Sequence, residues 1–362
     1  MMGARDDDPY GQVLPDRGDP QGAIDDLPRD PGNADADAHV ARGVARGLVG
    51  DLAGDAHDDD RVIASSPHCA GAYNGRGQLR QAEGDALGAL ADYLQARELD
   101  PDDPATHVGM GLALDQLGDD AAAVDAYSEA LRLRPGDVAT RVRRGLASYR
   151  AGDSGGALPD AVTVIAHDPG YARAYVLRAL IRWSTGDPEG CLDDLTQAIL
   201  LDPHDAAAYI ERGHVCTQYL RDDAGAIEDY TVALRIDADN IRAYYNRALA
   251  HSALGDEAAA VDDYSAAVER DPVYVDAYLN RGIARYNLGL MAECIADFDE
   301  VTILAPEDTR SYINRATARG VLGDHHGAIE DLREAAKLHA RDGRKEDERR
   351  VCAAIRALMA NG

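Results

Sequence analysis

The sequence predicts an all-α fold: a solenoid of about nine 34-residue helix-turn-helix repeats, closed by one further helix at the C-terminus. Three observations predict it. Prolines stand at 67, 101, 135, 169 and 203, a constant step of 34, and after a delay of one residue the step resumes at Pro272 and Pro306. Small and large residues recur in the same frame. Between them fall Gly-Asp pairs, at Gly84-Asp85, Gly118-Asp119, Gly255-Asp256 and Gly323-Asp324.

We number each repeat so that this proline is position 32. Position 4 is then Tyr73, Tyr175, Tyr209, Tyr244, Tyr278 and Tyr312. Position 8 is Gly or Ala, from Gly77 and Gly111 to Gly282 and Ala316; position 20 is Ala or Cys, from Ala89 to Ala328. Position 24 is Tyr93, Tyr127, Tyr230, Tyr264 and Phe298. Small residues at 8 and 20 let two helix backbones approach, and large ones at 4 and 24 fill the flanking space. Glycine suits the left-handed residue that ends helix A, and aspartate accepts hydrogen bonds at the start of helix B. Proline stops helix B from running on. The one-residue delay lies near Tyr219-Leu220-Arg221-Asp222, in a turn, where an insertion costs little.

This spacing resembles the tetratricopeptide repeat family over roughly residues 36–340. Eight repeats fit it well, at about 70–103, 104–137, 138–171, 172–205, 206–240, 241–274, 275–308 and 309–342. Residues 36–69 read as a degenerate repeat, with Asp55 where Ala belongs and Asp59 where an aromatic belongs. Residues 1–35 are acidic and interrupted by Pro and Gly, so a mostly flexible segment with the remnant of a helix B is expected. Over 343–362, Val351, Ala354, Ile355, Leu358 and Met359 follow helical spacing and suit a capping helix over the last repeat. The resemblance implies a right-handed superhelix whose concave wall is made by the A helices. It also implies a non-catalytic scaffold or adaptor that holds a peptide or a partner's helix there.

Two positions vary together within this one chain. Position 7 is arginine in seven repeats: Arg76, Arg144, Arg178, Arg212, Arg247, Arg281 and Arg315. Position 23 is aspartate in the same seven: Asp92, Asp160, Asp194, Asp229, Asp263, Asp297 and Asp331. In the repeat at 104–137 both are lost at once, to Met110 and Ala126. The joint loss argues for structural Arg–Asp pairs between helices A and B.

In the family, ligand contacts come from helix-A positions 2, 5, 6, 9, 12 and 13. Those positions here supply a candidate peptide-binding set: Arg173, Arg242 and Arg310 at 2, Tyr245 at 5, Asn246, Asn280 and Asn314 at 6, His214 at 9, and Tyr149, Trp183 and Tyr286 at 12. Val and Ile at 5 (Val142, Ile210, Ile313) and Leu or Ile at 9 (Leu146, Leu249, Ile283) read as an apolar wall or, in the favoured reading, as packing against the neighbouring repeat's helices. A ladder of side-chain amides offers donors and acceptors to an extended peptide backbone; the repeats of O-linked GlcNAc transferases look similar in this respect. No repeat has Lys at 5 or Asn at 9, so the chaperone-tail clamp of some family members is not expected.

Composition points the same way. The net charge of −28 repels phosphate backbones, which disfavours nucleic acid and favours partners with basic segments. Only Lys337 and Lys345 are lysine among the 37 basic residues. Cys69, Cys191, Cys216, Cys294 and Cys352 form no CxxC pair and read as free thiols in a reducing cytoplasm. The opening MMGARDDDPYGQV has no secretory pattern, and no apolar run reaches 18 residues, so a cytoplasmic protein without a membrane span is expected. Phosphate-loop, zinc-protease and serine-hydrolase motifs are all missing, and the acid pairs lack apolar surroundings. Neither an enzyme nor a cofactor nor a metal is expected. The alternatives are a regulatory or targeting subunit of a separately encoded enzyme, or a self-associating repeat protein.

Overall fold

The computed structural model describes residues 52–361. The acidic segment 1–35 and residues 36–51 of the degenerate repeat lie outside the described residues. Every regular element described is helical, and the chain divides into two compact units at Asp194/Leu195.

The first unit holds α1 (Leu52–Ser65), α2 (Ala70–Ala82), α3 (Ala86–Leu99), α4 (Pro104–Leu117), α5 (Asp120–Leu133), α6 (Val138–Arg150), α7 (Ser154–His167), α8 (Ala172–Ser184) and the start of α9 (Pro188–Leu201). The second holds the rest of α9, then α10 (Ala206–Val215), α11 (Asp223–Ile236), α12 (Ile241–Ala253), α13 (Glu257–Arg270), α14 (Val275–Asn287), α15 (Met291–Leu304), α16 (Thr309–Val321), α17 (His325–Arg341) and α18 (Lys345–Asn361). From α2 onward the even-numbered helices are A helices and the odd-numbered ones B helices. Within the first unit α1 to α8, and within the second α10 to α18, each helix packs on the helices before and after it, which is the helix-pair packing of a repeat solenoid. None of the described helices is long and apolar enough to cross a membrane.

The turns follow from single residues. Gly289, with φ of 78°, ends α14 in the left-handed region that glycine enters without steric cost. Aspartate caps the B helices: Asp85 accepts from Gly88 N at 2.9 Å and Asp256 from Ala259 N at 3.2 Å. Asp119, Asp153, Asp187, Asp222 and Asp324 do the same for their helices. α15 is the exception, because Leu290 stands at its N-cap and makes no side-chain bond.

The inserted residue is absorbed by widening the turn. Cys216–Leu220 form a π-helical turn after α10, and Arg221 takes the left-handed place of glycine with φ of 55°. The distortion therefore begins three residues before the stretch that the sequence suggested, because a π turn accommodates one extra residue without breaking the helix.

The cores lie between helices A and B of each repeat and reach helix A of the next, as where Val142 and Ala161 meet Leu177 and Ile181. Tyr93, Tyr127, Tyr230, Tyr264 and Phe298 are among the largest side chains fully removed from water. A Cβ on Gly213 would stand 2.8 Å from Tyr230 Cε1, so the ring occupies the space that the glycine leaves. In the degenerate repeat Asp59 is buried at the corresponding site, where it lies against Gly75. At the C-terminus, Val351, Ile355 and Leu358 of α18 cover Ala328, Leu332 and Ala335 of α17. Ala354 and Met359 of the expected covering face are exposed. At 100° per residue, 351, 355 and 358 form a narrow stripe and the other two fall on its flanks.

Candidate functional site

The A helices are held against their B helices by a repeated polar joint. Arg144 Nε and Nη2 fork onto Asp160 at 2.8 and 2.6 Å, and Arg247 onto Asp263 at 2.8 and 2.6 Å. Arg178–Asp194 and Arg212–Asp229 have the same two-bond geometry. Arg76–Asp92, Arg281–Asp297 and Arg315–Asp331 complete the series at 2.6–2.7 Å for their shortest bonds. All seven aspartates are buried. A buried carboxylate needs every lone pair engaged, and the planar arginine fork supplies two donors in register.

Three further partners appear that sequence spacing did not suggest. In four repeats a second arginine, at position 11, donates to the same aspartate: Arg80, Arg182, Arg285 and Arg319, at 2.8–2.9 Å. The first arginine also reaches back to the preceding B helix, as in Arg247 to Thr231 at 3.0 Å, Arg281 to Ser265 at 3.1 Å and Arg315 to Asp299 at 2.6 Å. Six of these guanidinium groups lie over the tyrosine three residues earlier, from Arg281 over Tyr278 at 5.2 Å to Arg247 over Tyr244 at 5.8 Å. Positions 4, 7, 11, 23 and 25 thus form one motif, and the repeats of Arg76, Arg144, Arg247, Arg281 and Arg315 use it to bond to their predecessors as well. At 104–137 the apolar pair Met110 and Ala126 is buried instead, beside Tyr93 and Ala113.

The candidate binding face is built on this frame. In the first unit, Tyr149 is half-buried against the Val142 and Leu177 core, Trp183 is half-buried, and Arg173 is exposed. In the second unit, Asn246, Asn280 and Asn314 occupy one register of α12, α14 and α16. Asn280 Nδ2 donates to the Tyr245 hydroxyl at 2.9 Å, whereas Asn246 and Asn314 make no side-chain hydrogen bond among the described residues. Tyr245 stacks at 4.9 Å on Tyr274, and burial pushes its hydroxyl up to about 12. It therefore stays protonated at neutral pH. Tyr286 packs half-buried against the Leu279 and Phe298 core. Burial pushes the His214 imidazole below its ordinary value, so it is neutral near pH 7.

The apolar wall is graded. Val142, Ile210 and Leu279 at position 5 belong to the cores, and Ile313 at 5 and Leu146 at 9 pack half-buried against them. Elsewhere at position 9, Leu249 and Ile283 are 40% and 38% exposed, beside the asparagine register. Two of the three arginines at position 2 are engaged as well. Arg242 forks onto Glu211 of α10 at 2.6 and 3.2 Å. Arg310 holds Asp308 at 2.7 Å and Asp276 of α14 at 3.0 Å. Their charges tie neighbouring A helices together, and each meets an acid on the same face. The described residues gather no cluster of metal-ligating side chains.

A family model described as Tetratricopeptide repeat matches residues 74–138, 142–190 and 245–309, and a second, described as TPR repeat, matches 222–255. No curated protein matches the sequence. Among solved structures, the Cut9–Hcn1 hetero-tetramer of the APC/C is 14% identical, covers 88% of this chain and 64% of its own, and superposes with a TM-score of 0.54. MamA from Desulfovibrio magneticus RS-1 is 26% identical over 47% of this chain and 96% of its own, with a TM-score of 0.41. YrrB, described as a TPR protein with an unusual peptide-binding site, is 21% identical over 52% of this chain and 96% of its own, with a TM-score of 0.40.

Proposed function

Because this chain belongs to the tetratricopeptide repeat family, a family whose members generally mediate protein–protein interactions, we propose that it is a non-catalytic adaptor holding an extended peptide along the A helices of its second unit. One observation carries the proposal. Three consecutive A helices present asparagine in one register, with Leu249 and Ile283 exposed beside it. The amides of Asn246 and Asn314, which make no side-chain hydrogen bond among the described residues, can pair with a peptide main chain, and the two apolar side chains can take alternate side chains of that peptide. Arg242 and Arg310 are already neutralised by acids, so backbone pairing and apolar contact carry this recognition rather than charge.

The experiment is a display selection of random peptides against the full chain. Its best binder is then titrated against wild type and against Asn246→Ala/Asn314→Ala/Leu249→Ser. A loss of affinity of about 10-fold or more is expected, from two lost hydrogen bonds and one lost apolar contact. Equal affinity of the two proteins would place the binder elsewhere and refute the assignment.

A further inference from the structure

Outside the A-helix face, the second unit carries an unusual edge where each A helix turns into its B helix. Position 14, the residue before the turn glycine, is Leu254, Leu288 and Leu322 in three successive repeats. These are 56%, 43% and 59% exposed, and Val321 and Leu290 beside them are 58% and 40% exposed. Tyr219 and Leu220 of the π turn continue the row in the preceding repeat, also exposed.

The fold does not require this row. The first unit is built by the same repeats, yet its position 14 is Glu83, Leu117, Ala151 and Thr185, with one large apolar residue among four. Leu290 is the sharper sign. Seven other B helices begin with an aspartate that caps the helix, and α15 forgoes the cap for a leucine that stays 40% exposed. A residue that breaks the local rule without packing into a core marks a site selected for something besides folding.

Acids border the row: Asp222, Asp256, Glu293 and Asp324 are exposed around it. Of the arginines beside it, Arg285 is bound to Asp297, and Arg319 to Asp331 with its Nε also 3.8 Å from Asp324, which leaves Asp222, Asp256 and Glu293 without an arginine partner among the described residues. Arg221, His325 and His326 are the exposed basic or titratable groups on the same turns. An apolar centre with an acidic rim is the complement of an amphipathic helix whose leucine stripe is flanked by lysine or arginine.

We propose that this turn edge, from Tyr219 to Leu322 and centred on Leu290, is a second docking surface for a basic amphipathic helix of a partner protein. It is separate from the peptide face, because position 14 and the turn are not among the A-helix positions that build that face.

The test titrates an 18-residue Leu/Lys helical peptide, and its Leu/Glu counterpart, against the full chain at 150 mM salt. Wild type is compared with Leu290→Asp. The substitution restores the missing cap, so the melting temperature rises by about 2 °C. It also adds a negative charge, so attraction by net charge alone would tighten Leu/Lys binding. The expected result is the opposite, a loss of 10-fold or more in a protein that is at least as stable. Unchanged or tighter binding by Leu290→Asp overturns the proposal, and so does equal affinity for the Leu/Glu peptide. Sedimentation showing a wild-type dimer that Leu290→Asp disperses overturns it too, since the occupant would then be a second copy of the chain.

Discussion

Arg285 Nη1 donates to Asp297 Oδ2 at 2.8 Å, on a carboxylate whose other oxygen accepts Arg281 Nη2 at 2.7 Å. One buried aspartate on helix B is thus held by two arginines one turn apart on helix A. The arrangement explains why this acidic protein keeps arginine inside its repeats. Lysine, a point charge, could not fork onto the carboxylate and face a tyrosine ring together.

Asp297→Ala leaves two half-buried guanidinium groups without their carboxylate, and a loss of about 3–5 kcal/mol is expected. The chain itself contains the apolar solution, since the repeat at 104–137 has Met110, Leu114 and Ala126 at these three positions. Transplanting it as Arg281→Met/Arg285→Leu/Asp297→Ala should recover most of the loss. Urea unfolding, followed by hydrogen exchange over 275–304, measures both. A triple variant as unstable as the single one would show that uncompensated charge is not the cause.

His251 stands at position 11 of its repeat, where four others have the second arginine. Its Nε2 is 3.9 Å from Asp263 Oδ2, too far for a hydrogen bond. His251→Arg should restore that bond and raise stability by about 1 kcal/mol. A thermal melt checks it, and a lower midpoint would show that the site no longer has room for the longer side chain.

Arg221 ends the π turn in the left-handed region, which costs a residue with a Cβ about 1–2 kcal/mol. Glycine removes that strain but loses more chain entropy on folding, so Arg221→Gly should stabilise the chain by about 0.5–1 kcal/mol. A decrease on chemical denaturation would mean that the arginine side chain contributes more than its backbone costs.

The asparagines separate stability from binding. Asn314 makes no side-chain hydrogen bond among the described residues, so Asn314→Ala should change stability by less than about 0.5 kcal/mol. Asn280→Ala removes the bond to Tyr245 and should cost about 1 kcal/mol. Both should weaken the selected peptide in isothermal titration. If only Asn280→Ala did so, the ladder would reduce to a single structural contact.

The period made the helices legible. A step of 34 residues with Gly-Asp between small residues defines where each chain segment turns, and those signals are local in sequence. The joint loss at Met110 and Ala126 marked positions 7 and 23 as coupled for a similar reason, since the chain carries its own comparison. Arg80, Arg182, Arg285 and Arg319 carried no such mark. Their position is filled by Leu114, Ser148, Cys216 and His251 in the other repeats, so no partner residue varies with it.

Exposure was the least legible property. Leu279 and Ile283 are both apolar residues on α14, yet the first is buried in a core and the second faces water. Arg242 and Arg310 read as members of the peptide-binding set, and Glu211 and Asp276 of neighbouring helices claim them. By itself the sequence determined the helical repeats, their turns and the residues that could pair, because each rests on spacing within one repeat. Tertiary structure alone decided which arginines are spent inside the frame and which leucines remain in water, because burial depends on how far one repeat is rotated onto the next.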